Sequence, residues 1–178
     1  MGWFKRLKDG IQTATKFKKE APDGLWHKCK RCSELTTIKE LRENLHICPK
    51  CDYHVRIGSH DYFELIYDSG KFTELFTDLR SKDFLEWTDL KGYNDRLESA
   101  YKKTELNDSI TVATGKVNKM PLVIAAMDFS FIGGSMGSVM GEKISLAIDH
   151  CIEVGSPFMI ISKSGGARMM ESAFSLMQ

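Results

Sequence analysis

No run of eighteen apolar residues occurs in this sequence of 178, so no stretch has the length of a membrane-spanning helix. The opening Met1-Gly2-Trp3-Phe4-Lys5-Arg6 lacks the apolar stretch of a secretion signal, and Arg6 stands where a myristoylation motif needs Ser or Thr. These absences set the expectation of a soluble, cytoplasmic protein with no membrane partner. Internal repeats and low-complexity tracts are missing, which excludes solenoids and arrays. What is present, 42% hydrophobic and 28% charged residues, suits one ordinary domain with a small appendage and excludes a bare tail or linker.

Net charge is only +1, but it is unevenly spread. Residues 1–60 carry 13 Lys or Arg against 7 Asp or Glu, and residues 61–178 carry 12 against 17. A basic head of this kind suits nucleic acid, an acidic partner or the phosphates of a cofactor, and equally suits solubility and compensation of local negative charge.

The five cysteines are an odd number, which argues against a disulfide framework. Four of them form Cys29-x2-Cys32-x15-Cys48-x2-Cys51, the spacing of a zinc site. Two intervening residues let a tight turn aim both sulfurs at one ion, and the longer insert is expected to form a hairpin that returns the second pair. Four thiolates around Zn2+ leave a charge of −2, which Lys28, Lys30, Arg31, Lys50 and Arg56 are placed to offset. A closed tetrathiolate has no open coordination position, so one structural zinc per chain is expected. His27, His46, His54 and His60 are expected at the surface or behind the ligands. Cys151, on a helix face with Ile144, Ala147, Ile148 and Ile152, is expected in the core.

The remainder reads as an α/β protein in four parts: a basic, partly helical arm over 1–24, a zinc ribbon over 25–55, a mainly helical connecting segment over 56–108, and an α/β domain over 109–178. A helix over 61–68, capped by Asp61 and ended by Gly70, precedes a second helix marked by Tyr93, Leu97 and Tyr101. Strands are expected at 109–114 and 122–127 with a turn at Asn118-Lys119, then a helix from about Glu142 to Val154, a strand at 158–162 and a helix at 167–177.

Two glycine turns interrupt this alternation. The first, with Gly133, Gly134, Gly137 and Gly141, matches neither G-x-G-x-x-G nor a Walker loop. It brings backbone N–H groups toward an anion or a carbonyl, or it is simply a tight packing turn. The second, Ser164-Gly165-Gly166-Ala167-Arg168, follows an apolar strand, and the N–H groups of Gly165 and Gly166 are candidate oxyanion donors if a helix starts there. A steric role for these glycines is the alternative. No G-x-S-x-G elbow is present, and no nucleophile or base presents itself.

Taken together, the cysteine ribbon, the stretch from Phe131 to Lys143, and Ser164-Gly165-Gly166-Ala167-Arg168-Met169 with Glu171 resemble the β-subunit family of bacterial acetyl-CoA carboxylase carboxyltransferases. Trp3-Phe4 and the segment from Lys91 to Asp108 are similar as well. The resemblance implies a zinc ribbon followed by the N-terminal part of a crotonase-like domain of ββα units, with further units beyond Gln178. It implies an enzyme subunit that transfers CO2 from carboxybiotin on a biotin carboxyl carrier protein to acetyl-CoA, giving malonyl-CoA for fatty acid synthesis. The implied partners are a carboxyltransferase α subunit in an α2β2 assembly, the carrier protein and biotin carboxylase. By the same resemblance, Gly165 and Gly166 stabilise a thioester enolate, the turn of Gly133, Gly134 and Gly137 lines the acyl-CoA site, and the biotin ureido nitrogen acts as base. Two positions depart from the family pattern: Met170 replaces a glutamine, and Glu105 replaces a glycine. The competing expectation is a nucleic-acid-binding zinc-ribbon module without catalysis.

Overall fold

The computed structural model describes residues 25–178, which form two compact units, 25–55 and 56–178. The arm expected over 1–24 lies outside the described residues.

In the first unit, β1 (Trp26–Lys28) pairs antiparallel with β2 (Leu35–Thr37), and α1 (Ile38–Glu43) follows at once. Thr37 starts the helix with a capping box. Its hydroxyl accepts from the Glu40 N–H at 3.1 Å, and the Glu40 carboxylate accepts from the Thr37 N–H at 2.9 Å. The insert between the cysteine pairs is therefore a strand and a helical turn, where a hairpin was expected. The Thr37–Glu40 box, a local hydrogen-bonding preference, decides this. The two cysteine turns share one geometry. Ser33 and Asp52, each following a second cysteine, have φ of 60° and 57°, and their N–H groups donate to the Cys29 and Cys48 carbonyls at 3.0 Å each.

The second unit is built on a four-stranded sheet of order β3-β4-β5-β6. It opens with α2 (Ser59–Ile66), then β3 (Phe72–Leu75), α3 (Tyr93–Thr104), β4 (Ile110–Val117) and β5 (Met120–Met127). Then come α4 (Ser138–Val154), β6 (Phe158–Ile161) and the four-residue α5 (Phe174–Met177). β3, β4 and β5 run antiparallel, and α4 carries the chain across to β6, parallel to β5. Alternation along β5 divides its side chains between two faces. Val123, Ala125 and Met127 meet Met140, Ala147 and Cys151, whereas Ile124 and Ala126 meet Phe63 and Tyr67. The sheet is thus covered by α4 on one face and α2 on the other. Among the described residues no helix is long and apolar enough to cross a membrane.

The β4–β5 turn at Asn118-Lys119 has φ of 51° and 69°, the left-handed pair of a type I′ hairpin. Asp68 holds it, its carboxylate accepting from both turn N–H groups at 2.9 Å.

Several expectations need correction. The first helix of this unit begins at Ser59, and Asp61 is the third helical residue, its carboxylate accepting from the Gly58 N–H at 2.8 Å. The segment expected to be mainly helical also contributes β3, an edge strand whose Thr73-Glu74 interrupts any apolar signal. Cys151 and Ala147 are buried as expected, but Ile148 and Ile152 are 42% and 76% exposed, because α4 turns Met140, Ala147 and Cys151 to the sheet. The helix expected over 167–177 is reduced to a 3-10 turn at Met169–Glu171 and the short α5. Backbone pairing of Ala167 with Met136 holds the chain extended where the helix was to begin.

The departure at Glu105 has a conformational meaning. Glu105 ends α3 in the left-handed region, with φ 59° and ψ 9°, the position where helices favour glycine. A side chain there costs about 1–2 kcal/mol, partly offset by the roughly 0.5–1 kcal/mol of extra entropy that glycine loses on folding. Glu105→Gly is therefore expected to stabilise the protein by about 0.5–1 kcal/mol in urea unfolding, and a destabilised variant would contradict this account of the helix end.

Candidate zinc centre and glycine-turn site

The Sγ atoms of Cys29, Cys32, Cys48 and Cys51 lie within 4.8 Å of one another. Cys29 and Cys51 are 3.7 Å apart, and Cys32 and Cys48 are 3.6 Å apart. Zinc–sulfur bonds of about 2.3 Å place tetrahedral ligands about 3.8 Å from one another, so the cluster fits the ion. The thiols are not equivalent. The Cys32 backbone N–H facing Cys29 draws its thiol down to about 6, whereas burial pushes Cys51 up to about 12. Four thiolates at this spacing need a cation among them, and the ribbon supplies the donor set for zinc. No histidine joins the cluster among the described residues. His60 belongs to the second unit, where its Nε2 lies 2.7 Å from the Glu74 carboxylate. Of the basic residues expected to balance the site, Arg31 donates its backbone N–H to Cys29 Sγ at 3.4 Å, and Lys50 pairs with Glu34.

In the second unit, the two glycine turns meet. The Met136 N–H donates to the Gly166 carbonyl at 2.9 Å and the Arg168 N–H to the Met136 carbonyl at 2.7 Å. The Ser164 hydroxyl donates to the Gly134 carbonyl at 2.9 Å and accepts the Gly166 N–H at 2.9 Å. A Cβ on Gly165 would stand 2.6 Å from the Gly133 carbonyl oxygen, so only glycine lets the turns approach this closely. The Gly165 N–H has no hydrogen-bond partner among the described residues. One proposed donor is thus open, and the other is held by a hydroxyl that must rotate to release it. Neither sits at the start of a regular helix, contrary to expectation.

Beneath the turns lies a cluster that the residue pattern did not disclose. Arg168 is fully buried, as is Asp108, and Glu171 is 1% exposed. The guanidinium grips Asp108 with two parallel hydrogen bonds, Nη1 to Oδ2 at 3.0 Å and Nη2 to Oδ1 at 3.1 Å. Nη1 also donates to Glu171 Oε1 at 3.2 Å. Nε and Nη2 hold the first glycine turn through the Ser135 hydroxyl and carbonyl, at 3.0 and 2.9 Å. Tyr93 donates its hydroxyl to Glu171 Oε1 at 2.6 Å, and Glu171 Oε2 accepts the Ser138 N–H, also at 2.6 Å. That last bond caps α4, whose N-cap, Gly137, has no side chain for the purpose.

Burial alone would raise both carboxyls, but charge and hydrogen bonds prevail. Arg168, Ser81 and the Ser109 N–H keep Asp108 below the usual carboxylate range, and Tyr93, Ser138 and Arg168 do the same for Glu171. Arg168 and Glu171, three residues apart beside the glycines, and Tyr93, on the α3 repeat, gave sequence signals, but none that joined them. Asp108, sixty positions away from Arg168, gave none.

Known proteins match along the whole chain. Residues 26–51 match the acetyl-CoA carboxylase zinc finger domain, and residues 72–178 the carboxyl transferase domain. Proteins named acetyl-coenzyme A carboxylase carboxyl transferase subunit beta from Pedobacter heparinus and Amoebophilus asiaticus are each 56% identical over all 178 residues. The chain spans 63% of the length of each. Transcarboxylase 12S, solved with methylmalonyl-coenzyme A and methylmalonic acid, shares the fold. It has a TM-score of 0.55 and 22% identity over 68% of this chain and 21% of that one.

The ribbon is expected to bind one zinc per chain, measured by atomic absorption, and Cys48→Ser should abolish stoichiometric binding. Retention of a full equivalent in that variant would remove Cys48 from the ligand set.

Proposed function

The chain belongs to the carboxyl transferase domain family, and from that premise we propose that it works as the β side of an acetyl-CoA carboxylase carboxyltransferase in the cytoplasm. The observation that carries this reading is the meeting of two glycine turns with the Gly165 N–H open beside them. Backbone N–H groups held in a fixed frame are suited to an oxygen that gains negative charge, here the thioester oxygen of acetyl-CoA as its methyl group loses a proton. The enolate carbon then takes up CO2 delivered by carboxybiotin on the carrier protein, giving malonyl-CoA, and the freed ureido nitrogen accepts the proton. Gly165 and Gly166 supply the donors in this reading, and Gly133, Gly134 and Gly137 line the acyl-CoA approach. The zinc ribbon is structural. An α subunit, the carrier protein and biotin carboxylase complete the assembly.

The test uses the complete β subunit assembled with its α partner and supplied with malonyl-CoA or acetyl-CoA and a biotin substrate. Carboxyl transfer is expected in either direction, and an inactive, zinc-loaded complex would overturn the reading. Gly166 has φ 107°, which a branched side chain resists. Gly166→Val should therefore lower turnover by about a hundredfold or more, the scale of a lost oxyanion donor, while zinc content and assembly persist.

A second reading rests on the exposed Lys28, Lys30 and Arg31 beside Trp26, which is 58% exposed. These side chains suit contact with nucleic-acid phosphates and a stacked base. Binding to single-stranded RNA or DNA should weaken steeply with salt, and replacing the three cations by Gln should flatten that dependence. Salt-independent binding would refute this role for the ribbon.

A further inference from the structure

Arg168 draws five separated chain segments to one guanidinium. Ser81 precedes α3, Tyr93 begins α3, Asp108 leads into β4, Ser135 lies in the first glycine turn, and Glu171 follows the second. One of these links, together with a bond from the Arg168 backbone, acts directly on the relation between the glycine turns. The side chain holds the hydroxyl and carbonyl of Ser135, while the Arg168 backbone N–H holds the carbonyl of the next residue, Met136. The first turn is thus fastened at two consecutive residues to the residue that ends the second.

Gly137 fits this frame. A Cβ there would stand 2.8 Å from both Arg168 Nη1 and Glu171 Oε1, so the glycine makes room for the ion pair. Glu171 in turn caps α4 through the Ser138 N–H. The start of α4, the first turn and the second turn are therefore set by one connected group of charges. Little slack remains, because the Gly165 backbone already abuts the Gly133 carbonyl.

We propose that Arg168, acting through Ser135 and seated by Gly137 and Glu171, is a positioning residue that sets where the Gly165 and Gly166 N–H groups point. The proposal rests on the carboxyltransferase reading for its kinetic consequence only. Donors displaced by a fraction of an ångström stabilise the enolate less, while the body of a CoA substrate binds as before. Loss of positioning therefore falls on kcat, with little change in KM.

Ser135→Ala removes one hydrogen bond from the guanidinium and leaves its two bonds to Asp108 in place. In the complete α and β assembly, this variant is expected to lower kcat about tenfold with KM for acyl-CoA within about twofold, and to lower the melting temperature by only a few degrees, the cost of the Nε–H left without an acceptor. Arg168→Lys keeps the charge but loses the planar fork, and should lose about a hundredfold or more in kcat per folded molecule. Amide hydrogen exchange at Gly166, whose N–H is held by the Ser164 hydroxyl, supplies a readout independent of turnover and should quicken in Ser135→Ala. Wild-type kcat in Ser135→Ala, a rate loss no larger than the loss of folded protein, or unaltered exchange at Gly166 would each overturn the proposal. If the unsubstituted assembly does not transfer carboxyl groups, the functional reading fails, and the exchange measurement alone decides the positioning role. Should Arg168→Lys fail to fold, Ser135→Ala still decides it.

Discussion

The second unit is organised around a charge buried where charge is costly. Moving a guanidinium and two carboxylates out of water carries a penalty of several kcal/mol per ion, and their attraction recovers it only when the hydrogen-bonding groups are satisfied. The geometry meets that condition. Each nitrogen of Arg168 has at least one acceptor, Asp108 receives both arms of the guanidinium together with Ser81 and the Ser109 N–H, and Glu171 divides its oxygens between Tyr93 and Ser138. Apolar residues of similar volume would fill this space at comparable stability. They would lack its directionality: each partner must stand at one distance and angle, which places the entrance to β4, the start of α3 and the start of α4 together.

The zinc ribbon solves a similar problem by local means. Its cysteine turns are close in sequence and repeat one geometry, with Ser33 and Asp52 in the same left-handed conformation. A metal bound by four thiolates then replaces the hydrophobic core that some thirty residues cannot build.

This difference explains what could be read in advance. The cysteine spacing, the strands expected at 109–114 and 122–127, and the Tyr93-Leu97-Tyr101 repeat of α3 all express nearby constraints, and all three were legible. The two glycine turns were legible as turns, though not the contact between them. The edge strand β3 was missed because Phe72-Thr73-Glu74-Leu75 gains its identity from pairing with residues 112–115, about forty positions on. The helix expected from Ala167 failed for the same reason: Met136, thirty-one positions earlier, fixes its backbone. Helical spacing placed Ile148 and Ile152 with Cys151, but it could not specify how far around α4 the sheet would reach.

Glycine is the least legible residue here because its letter carries no direction. The structure separates the glycines of the two turns by what a side chain would meet. Gly134, Gly137 and Gly165 lie against the Lys163 carbonyl, the Arg168–Glu171 pair and the Gly133 carbonyl, so these three serve close packing. Gly133 and Gly166 face open space, with nothing within 4 Å of a Cβ, so packing does not account for them. Their positive φ values of 67° and 107° account for them instead. The two groups depend on each other: the packed glycines let the buried charges lock the turns together, and that lock holds the open ones in place.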